Sequence, residues 1–180
     1  MASRRDFLTA LRKPLKNNSE ESALAVRPPY CQSESLFQSE CPACESKACV
    51  ASCDEKIILI RADGTPMLNF TKSGCTFCED CVKACQLHEM GVLSLEHEHT
   101  KEKVNATFRI STEGCVAHHG VICFSCKEPC IDNAILFNGM FNPVIDMDKC
   151  TGCGFCLGRC PTKAINYFAT PLAPSTEDGE

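Results

Sequence analysis

The chain has no tryptophan, and 17 of the residues behind its 44% apolar content are cysteines. Little of that content can therefore pack as ordinary core. Halves this small are expected to need bound inorganic centres for firm stability. No secretory h-region of about 7 to 15 apolar residues follows Met1, and no stretch is long enough to span a membrane. A soluble cytoplasmic protein is the expectation, and cysteine there points to metal or cluster binding before disulfides. Also missing are a glycine-rich phosphate loop and a nucleophile–base signature, so a self-contained enzyme is not expected. Net positive charge is absent too: the formal charge is −5. This argues against nucleic acid as a partner, since phosphate binding needs a basic face.

What the chain does have is Cys150-Thr-Gly-Cys153-Gly-Phe-Cys156-Leu-Gly-Arg-Cys160-Pro161. This is the C-x2-C-x2-C-x3-C-P run of bacterial iron–sulfur ferredoxins. Three thiolates two residues apart can wrap one face of a cubane cluster. The fourth is expected to start a helix and reach a neighbouring cluster. Gly152 and Gly154 suit the positive φ and close backbone approach of such a loop. A structural zinc site is the plainer alternative, but zinc sites set two C-x2-C knuckles apart rather than crowding four cysteines into 11 residues.

The pattern repeats. Runs start at Cys41 (with Cys44, Cys49, Cys53), Cys75 (with Cys78, Cys81, Cys85), Cys115 (with Cys123, Cys126, Cys130) and Cys150 (with Cys153, Cys156, Cys160). First and third are offset by 74 residues, second and fourth by 75, which fits a duplicated unit. Ile57-Ile58, Ala134-Ile135 and Ala164-Ile165 fall four and five residues after the last cysteine of their runs, each expected to open a strand. Ile57–Ile60 and Met67–Phe70 flank Ala62-Asp63-Gly64 as one hairpin; Ala134–Phe137 and Val144–Asp146 flank Asn138-Gly139 as another.

The expected fold class is α+β: two tandem ferredoxin-like two-cluster units, a polyferredoxin, over residues 41–95 and 106–170. Residues 1–16 read as a basic amphipathic segment, 17–40 as an extended linker containing Arg27-Pro28-Pro29, 96–105 as a charged loop and 171–180 as a disordered acidic tail. Cys31 is the odd cysteine and reads as a spectator thiol. His97 and His99 read as solvated loop residues, His118 and His119 as exposed or in contact around a site. In a two-cluster unit, three cysteines of one run and the last of its partner hold one cluster. If run one pairs with run two and run three with run four, as the short hairpins within halves and the charged loop between them favour, the sets are Cys41, Cys44, Cys49, Cys85; Cys75, Cys78, Cys81, Cys53; Cys115, Cys123, Cys126, Cys160; and Cys150, Cys153, Cys156, Cys130. Four 4Fe-4S clusters of about −2 each would take the charge to roughly −13, suited to docking on basic protein patches.

Ser3-Arg4-Arg5-Asp6-Phe7-Leu8 has the form of a twin-arginine motif without the h-region that export requires. It reads either as a frayed terminus or as a docking segment. With the Arg27-Pro28-Pro29 stretch, the four runs, the long gap opening the third and Cys-Thr-Gly-Cys-Gly in the fourth, the chain resembles the NapF family of ferredoxin-type accessory proteins. The first run is longer than that family's usual spacing, and Gln86 stands where proline is common. The resemblance implies a cytoplasmic protein that binds the precursor of the periplasmic nitrate reductase catalytic subunit and helps load its iron–sulfur cluster before export. Arg4, Arg5, Phe7 and Leu8 would form part of the docking surface. The alternative is a general electron carrier between redox partners.

Overall fold

A computed structural model describes residues 24–87, 91–96 and 103–172. The elements in chain order are α1 (Glu34–Glu40), α2 (Ala48–Ser52), β1 (Ile58–Ile60), β2 (Pro66–Leu68), α3 (Asp80–Leu87), β3 (Ala106–Ile110), a 3-10 turn (Val116–His119), β4 (Ile135–Asn138), β5 (Phe141–Ile145), α4 (Phe155–Arg159) and β6 (Ile165–Ala169). The fold is thus a mixture of short helices and strands. Arg4, Arg5, Phe7, Leu8, His97, His99 and the end of the acidic tail lie outside the described residues.

The repeat reappears as backbone geometry. Three residues after a fourth cysteine, Lys56, Asn133 and Lys163 take φ of 53°, 51° and 53°. This left-handed residue turns the chain so that the apolar pair following it points inward. Ile57, Ile58, Ala134, Ile135, Ala164 and Ile165 are all buried. Strands open there as expected. β1 pairs antiparallel with β2, and β4 with β5 through a turn in which Gly139 takes φ 75°.

One pairing was not legible as a hairpin. β3 runs antiparallel to β6, with Ala106 opposite Ala169 and Ile110 opposite Ile165, closing the second half. The first half carries a remnant of the same closure in the bridge between Cys31 and Leu93 and the Ser94 N–H donated to the Tyr30 carbonyl at 2.9 Å.

That remnant overturns the linker over 17–40 for its described part. Ala25, Val26, Arg27, Tyr30, Cys31 and Phe37 are buried, and α1 forms from Glu34 with the Ser33 hydroxyl accepting the Leu36 N–H. Polar composition and Pro28-Pro29 suggested solvent exposure, but the arginine is itself a core element. Arg27, 1% exposed, pairs its guanidinium with Glu34, donates to Thr65 Oγ1 at 2.9 Å and the Pro66 carbonyl at 2.6 Å, and lies over the Phe37 ring. It pins the N-terminal segment to the first hairpin. Arg27→Gln leaves these acceptors without charge compensation and is expected to cost about 3 kcal/mol. An anaerobic melt of the iron-loaded protein should read this as a midpoint lowered by roughly 6–12 °C; an unchanged midpoint would make the arginine dispensable.

The inter-unit loop over 96–105 is also corrected at its end. Val104 is buried, and Asn105 accepts the Arg27 N–H at 2.7 Å while donating to the carbonyls of Ala25 at 3.0 Å and Thr170 at 2.8 Å. The two halves consequently share one core. Val26, Ile57, Leu68 and Phe70 of the first pack with Val104, Phe108, Ile135 and Ile165 of the second. Phe70 sits 5.7 Å from Phe108 and 5.3 Å from Tyr167, ring centre to ring centre. At the seam the Cys75 N–H donates to the Cys153 carbonyl at 2.7 Å.

Candidate metal sites

The third and fourth cysteines of each run are four residues apart, one helical turn, so a single turn holds both thiols on one face. α2 carries Cys49 and ends at Cys53, α3 carries Cys81 and Cys85, and α4 carries Cys156 and ends at Cys160. The fourth cysteine therefore closes or continues a helix, correcting the expectation that it starts one. Cys126 lies in a turn instead, and Cys130 directly follows it.

Four cavities open beside these turns, and each is lined by four cysteines. One holds Cys41, Cys44, Cys49 and Cys85; a second, of about 280 Å³, holds Cys53, Cys75, Cys78 and Cys81. A third holds Cys115, Cys123, Cys126 and Cys160, and a fourth Cys130, Cys150, Cys153 and Cys156. The structure so brings together three cysteines of one run with the last of its partner in every case.

Burial pushes several of the thiols up, and neighbouring thiolates push them further. Cys41 and Cys49 rise to about 11, the latter also through Cys85 and Cys44. Cys75 rises to about 11 and Cys81 to about 12 by the same causes. Cys126 rises to about 11 and Cys156 to about 12. Cys44 moves the other way, lowered first by its hydrogen bond with Ser46. Four thiolates could not share such a hollow without compensating positive charge. The ordinary source is bound metal.

The kind of metal follows from spacing. Among the described residues no group of three or more His, Cys, Asp or Glu side chains converges on one ion-sized position. A tetrahedral zinc needs four donors about 2.3 Å from one point. Thiols that surround a hollow fit the four corners of a cubane better, and the all-thiolate donor set is the one such clusters take. Backbone donors complete the fit. Phe77, Ala134 and Ala164 N–H groups donate to the sulfurs of Cys75, Cys130 and Cys160 at 3.4, 3.2 and 3.1 Å.

Gly152 and Gly154 take φ of 76° and 85°, as their loop requires. The corresponding places in the second run are filled by Phe77 and Glu79, at φ 57° and 65°. These two loop residues went unrecognised because neither type signals that conformation. Asp132, whose carboxylate accepts the Thr151 hydroxyl at 2.5 Å beside Cys150, also carried no spacing signal. His118 and His119 stay out of the sites, their Nε2 atoms paired with the carbonyls of Pro143 and Glu113.

Cys31 lines none of the four cavities described above and is buried beside Phe37 and Leu93. Burial pushes its thiol from 9.0 up to about 12. Because the folded value is the higher, the neutral thiol's contribution to stability is complete below pH 9.0 and is lost as pH climbs toward 12. Iodoacetamide at pH 9 is expected to leave Cys31 unmodified in the folded protein and alkylate it after unfolding, as read by peptide mass mapping. Modification at the rate of a free thiol would contradict its burial.

Comparison with known proteins follows the same lines. Residues 143–166 match the 4Fe-4S binding domain family, which covers the fourth run. The chain is 32% identical over 168 residues to the ferredoxin-type protein NapF of Escherichia coli (strain K12), covering 91% of this chain and 93% of that one. It is 30% identical to the NapF of Haemophilus influenzae, covering 84% and 83%. The methylamine utilization ferredoxin-type protein MauM of Methylobacillus flagellatus is 29% identical, with 81% and 68% covered. No solved structure matches the chain.

Proposed function

Because the chain belongs to the NapF family of ferredoxin-type proteins, we propose that it holds four 4Fe-4S clusters and serves in the cytoplasm as an accessory protein for the periplasmic nitrate reductase. It would bind the precursor of the catalytic subunit and assist assembly or loading of that subunit's iron–sulfur cluster before export. The observation that carries the cluster part is the coincidence of four cavities with four sets of four cysteines. Bound there, the clusters supply one-electron chemistry. The protein's own part is to hold them with thiolates, donate N–H groups to the sulfurs and limit water. The two-cluster units over 41–95 and 106–170 belong to this reading. So does docking by Arg4, Arg5, Phe7 and Leu8, a segment that a plain carrier would have little need of.

The ligand sets make one sharp expectation. Cys85→Ser should disturb the cluster held mainly by Cys41, Cys44 and Cys49, although Cys85 belongs to the second run. Loss confined to the signal of the cluster held by Cys75, Cys78 and Cys81 would overturn the crossover.

A second reading, a general electron carrier, is favoured by the similarity to a ferredoxin-type protein of methylamine utilization. Anaerobic binding separates the two. The iron-loaded protein is presented with the catalytic subunit as cytoplasmic precursor and as mature enzyme, with a version lacking residues 1–16 alongside. Preference for the precursor, weakened by the truncation, supports the accessory role. Equal or absent binding to both supports the carrier.

A further inference from the structure

The four cysteine sets do not lie in chain order. Within the first half, Cys49 on α2 and Cys81 on α3 belong to different sets, yet these helices pack together. Within the second, Cys126 and Cys156 belong to different sets; Cys126 lies in the shared core and Cys156 borders it. Between the halves, a backbone contact joins the sets of runs two and four. The Cys75 N–H donates to the Cys153 carbonyl at 2.7 Å. A Cβ on Gly74 would stand 2.5 Å from that carbonyl oxygen and 2.6 Å from the Phe155 nitrogen, so only glycine lets the backbones close to this distance.

We propose that the Cys75–Cys153 junction links the halves into a single electron path, running through the sets of run one, run two, run four and run three in that order. The proposal rests on the four-cluster reading above. Two regular runs then form the middle of the path, and the two irregular runs its ends. Those ends face solvent: Glu45 and Ser46 in the lengthened gap of run one, and Val121 and Ile122 in the long gap of run three, are exposed. Extra loop at the ends and close backbone contact in the middle set this order; one middle set is also open to solvent, at Cys78. With clusters held by these two sets, the central step would carry one electron from the cluster held by the set of Cys75 to the one held by the set of Cys153. No bond is made or broken and no proton moves. A low-potential one-electron donor at one end, dithionite in the test, supplies the electron.

The test starts with iron and sulfide analysis of the anaerobically purified protein. Absence of labile sulfide would sink the four-cluster reading itself. With clusters present, Cys44→Ala combined with Cys123→Ala empties the two outer sites and leaves those of runs two and four. Cys78→Ala combined with Cys123→Ala leaves those of runs one and four. After dithionite reduction the first variant is expected to give an electron paramagnetic resonance spectrum broadened by spin–spin interaction. The second should give two unbroadened spectra. An unbroadened spectrum from the first variant, with about eight irons retained, overturns the junction. Should the variants shed their iron, amide exchange in the unaltered iron-loaded protein decides. A Cys75 amide protected there and exposed in Gly74→Ala supports the junction; an unprotected one overturns it.

Discussion

Stripping iron from the loaded protein under anaerobic conditions is expected to abolish most of its far-UV ellipticity and all cooperative melting. The reason lies in how little secondary structure stands on its own. The described strands form three separate two-stranded ribbons, of 3 to 5 residues per strand. Isolated two-stranded ribbons are marginal in water. The described helices span 5 to 8 residues, shorter than the roughly 12 to 15 at which isolated helices begin to persist. The shared core is real, but cysteines border it throughout: Cys49, Cys53, Cys75, Cys81, Cys130, Cys150, Cys156 and Cys160 pack against it, and Cys126 lies within it. Without metal these side chains surround hollows in place of packing atoms. Bound metal supplies on the order of 10 kcal/mol per site in small structural metal domains, far more than such ribbons can. Circular dichroism with parallel iron and sulfide analysis checks this. A cooperative melt of the iron-free chain would show that the apolar core suffices.

The same dependence explains which parts of the fold could be read from sequence. Cysteine spacing is set by the site and not by the surroundings, so the runs and the apolar pairs that follow each run were legible. Ile57-Ile58 and Ala134-Ile135 kept their register because the turn at Lys56 and Asn133 is itself fixed to the preceding cysteine. The hairpins were legible from the apolar runs that flank Ala62-Asp63-Gly64 and Asn138-Gly139. What escaped was whatever the two halves do to each other. β3 pairs with β6 across more than fifty intervening residues, and no local pattern records the partner. Arg27 escaped because a charged residue beside two prolines normally lies in water, and only Glu34, Thr65 and Phe37 together make its burial tolerable. Asn105 escaped for the same reason. It sits at the end of a charged stretch, and its three hydrogen bonds reach Ala25, Arg27 and Thr170 from both ends of the described chain.

Gly154→Ala should be among the most damaging single substitutions outside the cysteines, and two causes can be separated. The first is conformational: φ of 85° costs a residue with a Cβ about 1–2 kcal/mol. By itself this is survivable, since Phe77 and Glu79 sit at positive φ in the second run. The second cause is packing. A Cβ at Gly154 would lie 2.5 Å from Cγ of the Phe70 ring and 2.8 Å from its Cε1, and Phe70 is fully buried against Phe108 and Tyr167. The ring cannot retreat, so overpacking adds about 1–3 kcal/mol, giving a total of roughly 2–5 kcal/mol. Gly152→Ala, whose Cβ would meet the Val104 carbonyl oxygen at 3.1 Å, should cost less. Trimming the ring provides the discriminating measurement. In a double-mutant cycle on the iron-loaded protein, Phe70→Leu is expected to recover about 1–3 kcal/mol of the Gly154→Ala loss. Purely additive effects would assign the loss to backbone conformation, and the glycine would then serve its loop and not the joint between the two halves.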